Sequence, residues 1–319
     1  MDALSDVLQA VRLTGAVFFD VHATEPWVAE TPAGSSIVAR LFPDAEHLIP
    51  YHVVIRGACW ASLLDEPPTH LAAGDVVVFP HGDAHVISSG PGMRDAPNMA
   101  IYRQPTEEQL PFALSLGDGR EVQTHLVCGY LACDASPFNP LLSALPRVIR
   151  VDNSAGGAVG AFLEFAVAES RTRRLGGESV LSRLSELMFV DVVRRYLETL
   201  PADRMSWLAG LRDPSVGRAL TALHRSPAHD WTLSSLARDV GLSRTVLAER
   251  FTRFVGQPAM QYLTSWRMQL AANHLLSGTE SIATVADRVG YESEASFSRA
   301  FKKAVGTPPS EWRQRRSRH

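Results

Sequence analysis

Two sets of side chains near the end of the chain are spaced for chemistry on a helix surface. Arg244, Thr245, Ala248, Glu249 and Arg253 form the first; Glu294, Ala295, Ser298, Arg299, Lys302 and Lys303 form the second. Each opens with the offsets i, i+1, i+4 and i+5, which share one side of a helix. Guanidinium, ammonium, hydroxyl and carboxylate groups in such an array can bond base edges and phosphate oxygens. A third set lies in the first half of the chain: His52, His85, His125 and Cys128. Two histidines with a further His or Cys make a donor set that zinc accepts. Each set also has a plainer reading. The helical charges can be a solvated face, the histidines can be satisfied in core or turns, and Cys128 can be a small buried hydrophobe.

The elements that must position the first two sets are written twice. Ala237, Val240 and Gly241 correspond to Ala286, Val289 and Gly290 at an offset of 49. Leu247, Phe251, Gly256 and Pro258 correspond to Phe297, Phe301, Gly306 and Pro308 at an offset of 50. The extra residue falls in the turn, where insertion is cheapest. Each copy predicts a short amphipathic helix, a turn at glycine, and a second helix capped by Ser243 or Ser293. The second helices carry buried stripes of Leu247, Phe251 and Phe254, and of Phe297, Phe301 and Ala304. This is the helix-turn-helix plan, whose second helix enters a DNA major groove. A joining helix over about 259–276 would hold the two second helices roughly 34 Å apart, one turn of duplex.

The stretch resembles the DNA-binding domain of the AraC/XylS family of bacterial transcription regulators. The resemblance rests on Trp266 to Ala271 with Leu275-Leu276, on Ile282 to Ala286, on Gly290-Tyr291, on Phe297 to Lys303, and on Gly306 to Pro309 with Trp312-Arg313. It implies base contacts from Arg244, Thr245, Ala248 and Glu249, and from Glu294, Ala295, Ser298 and Arg299. In the first helix the small Ala248 and the acidic Glu249 depart from a typical polar reader, although Glu can accept from cytosine N4.

Charge agrees with a nucleic-acid partner. The 319 residues carry a net charge of −3. From Arg225 onward there are 14 basic and 8 acidic residues, net +6, which leaves 17 basic and 26 acidic residues, net −9, on the remainder. A basic third on an acidic body is an electrostatic footprint for DNA. Lys302, Lys303, Arg313, Arg315, Arg316 and Arg318 are expected to serve phosphates. The three cysteines make no disulfide framework and are expected to be thiols. The start of the chain lacks the basic and apolar segments of a signal peptide, and no apolar run approaches ~18 residues, so a cytoplasmic location is expected.

Upstream, a helix is expected over residues 4–12 and strands from Gly15 to about Leu131. Short apolar runs at Gly15–Phe19, Ser36–Ala39, His52–Ile55, Cys59–Leu63 and Asp75–Phe79 are punctuated by Gly, Pro and Asp, which suggests a sandwich or small barrel. Gly74-Asp75 predicts a hairpin turn, Val76 to Val78 a buried strand, and Pro80 to Gly82 a bend that aims His85 inward. Gly74 to His85 resembles the second cupin motif, with Ser89 in place of the usual closing Asn. The first cupin motif is degenerate, with only His47 and His52 ahead of Gly57. The layout is also similar to AraC-type regulators that sense reactive chlorine through cysteines, but His125 and Val21 stand where those sensors carry thiols. The expectation is therefore a pocket for a small effector or a zinc ion, ligated by His52, His85, His125 and Cys128.

A strand is expected at Arg147–Val151, followed by helices over 158–174 and 178–200. The family resemblance implies dimerisation through these helices; the alternative is that they cover the sensor domain's own core. The expected architecture is α+β: a cupin jelly-roll sensor with helical dimerisation segment over 1–200, a linker over 201–213, and an all-α double helix-turn-helix domain over 214–319. The function that follows is a promoter-binding regulator, with RNA polymerase as partner if it activates, working as a homodimer under an unknown effector. The alternative is a metal-dependent cupin enzyme with an accessory DNA-binding domain.

Overall fold

Alternating side chains between residues 14 and 133 build two facing sheets. The computed structural model describes residues 2–103, 110–152, 175–201, 204–278 and 280–316, with 160, 165, 168 and 169. It divides into two compact units, Leu13–Cys133 with Leu145–Thr199, and Met1–Arg12 with Asp134–Ala144 and Leu200–His319.

In the first unit, β1 (Thr14–Ala23), β3 (His47–Arg56), β6 (Val76–Val78), β8 (Phe112–Leu116), β9 (Thr124–Cys133) and β10 (Ile149–Val151) form a six-stranded sheet in the order β10-β6-β3-β9-β1-β8. The second sheet runs β2-β7-β4-β5, from β2 (Val28–Thr31), β4 (Ala58–Leu63), β5 (Thr69–Ala72) and β7 (His85–Ser88). Period-two alternation sends Phe19, Val21, Leu48, Val54, Leu126 and Tyr130 inward to meet Ala61, Leu63, Leu71 and Ile87 of the smaller sheet. This is the expected cupin sandwich. The Gly74 turn has φ +93° and the Val76–Val78 run is wholly buried, as its apolar sequence requires.

One expectation is corrected here. The strand expected at Ser36–Ala39 is part of a helix, α2 (Gly34–Leu41). Its buried residues, Gly34, Ile37 and Leu41, fall at offsets of three and four, a helical spacing that a four-residue window hides. The helix expected over 158–174 lies largely outside the described residues. Its successor is α4 (Gly177–Thr199), which buries Leu181, Ser185, Met188, Phe189, Val192 and Val193. Tyr51 and Ser185 share a hydrogen bond of 2.7 Å, and Leu181 packs on Val127, so α4 covers the outer face of its own six-stranded sheet. A Cβ added at Gly15 would lie 2.6 Å from the Ser185 Cβ, which explains the glycine at that crossing.

The second unit is helical. It contains α1 (Ala3–Ala10), α3 (Pro140–Ala144), α5 (Trp207–Arg212), α6 (Val216–Arg225), α7 (Leu233–Asp239), α8 (Arg244–Val255), α9 (Ala259–Ser277), α10 (Ile282–Arg288), α11 (Glu294–Val305) and α12 (Pro309–Arg316). The expected lead-in helix α1 belongs to this unit. Its last carbonyl, at Ala10, accepts from Gln269 Nε2 (3.2 Å) and Asn273 Nδ2 (2.7 Å), while Gln269 Oε1 accepts from the Phe138 N–H at 2.9 Å. Arg12 grips Asp134 with two bonds of 2.5 and 2.6 Å. The stretch expected to be a linker carries α5, whose Trp207 is buried and donates to the Tyr262 hydroxyl at 2.9 Å. Among the described residues no helix is long and apolar enough to cross a membrane.

Candidate functional site

The second helix of each repeat, α8 and α11, stands on one apolar shaft. α9 buries Tyr262, Trp266, Met268, Ala271, Ala272 and Leu275 along its 19 residues, which span about 28 Å at ~1.5 Å rise per residue. Around its second half Phe297 and Phe301 of α11 pack with Val285, Ala286 and Val289. Around its first half Leu247 and Phe251 of α8 are fully buried, with the Phe251 and Tyr262 rings 5.8 Å apart. Ser243 accepts from the Val246 N–H at the start of α8, and Ser293 from the Ser296 N–H at the start of α11. Both helices end in left-handed glycine, Gly256 and Gly306. The stripes differ from expectation at their ends. Phe254 is half-buried and Ala304 is exposed, because each lies in a last turn that runs past the core.

The opposite faces are open. Arg244, Thr245, Glu249 and Arg253 of α8 are exposed and Ala248 is half-buried; Glu294, Ala295, Arg299, Lys302 and Lys303 of α11 are exposed and Ser298 is half-buried. Nearby arginines are committed elsewhere. Arg250 pairs with the buried Asp213 at 2.5 Å. Arg267 donates to the carbonyls of Pro227, His229 and Gly290. Arg313, expected at phosphates, is half-buried and donates to the Glu280 carbonyl at 2.6 Å. The side chains of Arg315, Arg316 and Arg318 lie outside the described residues.

Inside the sandwich, Phe19, Val21, Trp27, His52, Ile87, Leu126, Cys128 and Tyr130 are among the side chains around an apolar cavity. Its volume is about 40 Å³, so it is a narrow slot. His85 Nδ1–H donates to the Asp83 carbonyl at 2.9 Å, which leaves its Nε2 as acceptor for His52 Nε2–H at 2.8 Å. His52 Nδ1 is then a bare acceptor, buried without a partner, as is the Trp27 Nε1–H donor. Burial pushes the His85 imidazole down to about 4 and His52 well below its ordinary value, so both rings are neutral.

The four expected zinc ligands do not converge. His52 and His85 meet across the two sheets. Cys128 faces the same interior, opposite His52 in the β3–β9 register. His125 is three residues from Cys128, and odd offsets on a strand point to opposite faces. It lies on the outer face, with its Nε2 2.5 Å from Asp20 Oδ1.

Comparison with known proteins places this geometry. The Cupin family (Cupin_6) matches residues 2–198 and the Helix-turn-helix domain family (HTH_18) matches residues 236–315. An AraC-like transcription regulator of Streptomyces lividans is 32% identical over 98% of this chain and 98% of its own. The chain belongs to the AraC-type transcription regulators. The HTH-type regulator AlkR of Acinetobacter baylyi is 27% identical over 98% of this chain and 99% of its own. The RCS-specific activator RclR of Escherichia coli K12 is 26% identical over 99% of this chain and 98% of its own. This AraC-type regulator thus binds DNA through its helix-turn-helix domain and carries a cupin domain at the amino end, and the enzyme alternative is not favoured.

Two side chains on α8 were missed by reading the sequence. Val246 is 45% exposed beside Thr245, and Thr252 is exposed on the same side as Ala248 and Glu249. The offset of 50 maps Thr252 onto Lys302, so the repeat already marked it. Val246 carried no such signal, because an apolar residue in a short helix reads as core.

Proposed function

We propose that the regulator lays α8 and α11 into successive major grooves of promoter DNA, and that a small uncharged effector in the cupin cavity biases this binding. Arg244, Thr245, Ala248 and Glu249, joined by Val246 and Thr252, face bases of one half-site. Glu294, Ala295, Ser298 and Arg299 face bases of the other, and Arg253, Lys302 and Lys303 take phosphates. The open, polar faces on two helices buried against one shaft support this reading. The test is selection of binding sites from random duplexes. Arg299→Ala should cost about 1–3 kcal/mol at one base position and leave the other positions intact. A uniform loss across all sequences would make Arg299 a phosphate contact.

The effector reading rests on the unpaired acceptor His52 Nδ1 and the unpaired donor Trp27 Nε1–H, both on residues lining a largely apolar slot whose Thr31, Tyr102 and Tyr130 hydroxyls bond one another. A hydroxyl on a narrow hydrocarbon satisfies either, whereas a carboxylate would have to leave water for a site whose described lining carries no Lys or Arg. Hexanol should therefore stabilise the protein in thermal unfolding and hexanoate should not, and His52→Ala should abolish the difference. Equal effects of the two compounds would refute this. RclR is named as RCS-specific, but thiol oxidation suits this chain poorly. Burial pushes the Cys59 thiol up to about 12 and Cys128 higher, which suppresses the reactive thiolate. We place homodimerisation on the outward side of α4, where Leu187 is half exposed. A monomeric mass at micromolar concentration would remove that part, and RNA polymerase is a partner only if the regulator activates.

A further inference from the structure

We propose that Asp20, His22 and His125 bind a divalent transition-metal ion of the zinc class on the outer face of the six-stranded sheet. Asp20 and His22 are two apart on β1 and share a face, and His22 stands directly opposite His125 in the β1–β9 register. Both imidazoles approach one carboxylate oxygen, Asp20 Oδ1, with Nε2 of His125 at 2.5 Å and Nε2 of His22 at 3.7 Å. The two rings stack at 4.4 Å with an interplanar angle of 12°. Among the described residues this is the one group of three His, Cys, Asp or Glu donors that comes together, all within 4.8 Å.

The His125–Asp20 hydrogen bond does not by itself place His22. Asp20 Oδ1 is engaged by His125, and 3.7 Å is too long for a hydrogen bond from His22. The second imidazole is nevertheless brought parallel to the first with its nitrogen toward the same oxygen. A cation bonded to all three donors satisfies that convergence. Tetrahedral zinc with bonds of ~2.0–2.1 Å separates its ligand atoms by about 3.3 Å, between the two distances present. Side-chain movements of about 1 Å bring the three donors to that spacing. The His125 side chain is 6% exposed and that of His22 is 41% exposed, so the site has a fixed inner ligand and a solvent-facing entrance. Three protein donors leave a coordination position for water or another ligand. The site is separate from the interior His52–His85 pair and takes no thiolate. The ion would tie β1 to β9 by side chains where they are already paired.

The test is titration of the chelator-stripped full-length regulator with Zn²⁺ by calorimetry, and with Co²⁺ by absorption. One ion per chain is expected, with visible cobalt bands of a nitrogen and oxygen ligand set and no sulfur-to-cobalt charge-transfer band. Asp20→Asn, His22→Ala and His125→Ala should each weaken binding at least about tenfold, the scale seen even for outer-shell groups. His85→Ala should leave it unchanged. Zinc should raise the thermal midpoint of the unaltered protein but not of His22→Ala, a variant chosen because His22 is the most exposed of the three. Absence of stoichiometric binding would overturn the proposal. So would zinc affinity that survives His22→Ala but is lost in His85→Ala, or a cobalt–thiolate band.

Discussion

Asp213→Ala removes a group that ties α8 to the helical scaffold. The carboxylate is 9% exposed. Its Oδ1 accepts from the Ser215 and Val216 N–H groups at 3.0 and 2.9 Å, which caps α6. Its oxygens also accept from Arg250 Nε at 3.2 and 3.0 Å and from Arg250 Nη2 at 2.5 Å. Loss of a helix cap costs about 1 kcal/mol. The Arg250 side chain is 45% exposed, so its pairing is screened and adds at most about 1 kcal/mol. The expected loss is therefore roughly 2 kcal/mol, with Asp213→Asn losing about half because the amide oxygen still caps. Urea unfolding of the full-length chain, followed by tryptophan fluorescence, reads the effect in the transition of the helical unit. In parallel, affinity for a preferred duplex and for its single-base variants is measured. The ratio between duplexes should not change, since Asp213 is buried and Arg250 is bonded to it. A loss under about 0.5 kcal/mol would refute the capping account. A changed base preference at unchanged stability would make Arg250 a reader.

Three further outcomes follow from buried groups. His85 in the sandwich and His224 in the helical unit are held neutral by burial, with values near 4 and 3 against an ordinary 6.5. Their folded pKa values lie below the unfolded ones, so stability is full above about pH 6.5 and falls as acid protonates the unfolded chain. His85 alone should account for about 3 kcal/mol between pH 6.5 and 4, and a flat urea midpoint across that window would refute it. Gly290 has φ +80°, and an added Cβ would sit 2.7 Å from the Ala228 carbonyl oxygen; Gly241 has φ +72° but meets only the flexible Arg218 guanidinium at 3.9 Å. Gly290→Ala should thus destabilise by more than the ~1–2 kcal/mol of left-handed strain expected for Gly241→Ala. All three cysteines are thiols outside any disulfide and are buried, so a thiol reagent at pH 8 should label them only after denaturation.

The helical unit was legible because its signals are local. Ser243 and Ser293 cap, Gly241 and Gly290 turn, and paired aromatic residues mark the stripes, each within one or two helical turns. The strands at His52–Ile55, Cys59–Leu63 and Asp75–Phe79 were legible as short apolar runs. What failed depends on distance along the chain. Ser36 to Ala39 fits either period over four residues, and only the burial of Leu41 decides for a helix. The unit to which α1 belongs is set by Gln269 and Asn273, some 260 positions away. The zinc set failed for a local reason that was available. His125 and Cys128 were grouped as neighbours although three residues on a strand reverse direction. Asp20 and His22, which do meet His125, share its face but sit a hundred residues earlier.

The internal repeat separates scaffold from information. Where the copies agree, at Ala237 and Ala286, Val240 and Val289, Phe251 and Phe301, the side chains are 0–2% exposed. Where they differ, at Thr245 and Ala295, Glu249 and Arg299, Thr252 and Lys302, the positions are exposed in both. Packing against α9 limits the first group, since a core position tolerates little change in volume. No such limit acts on the second, so one scaffold can carry two unlike faces. The α11 face holds Arg299, Lys302 and Lys303 against a single Glu294, while the α8 face holds Glu249 between Arg244 and Arg253. In the proposed binding mode phosphate attraction is therefore stronger for α11, and discrimination by α8 would lean on its carboxylate and on the exposed Val246 methyls. On this reasoning Lys302→Ala lowers the salt dependence of binding for every duplex, whereas Glu249→Ala alters which duplex is preferred.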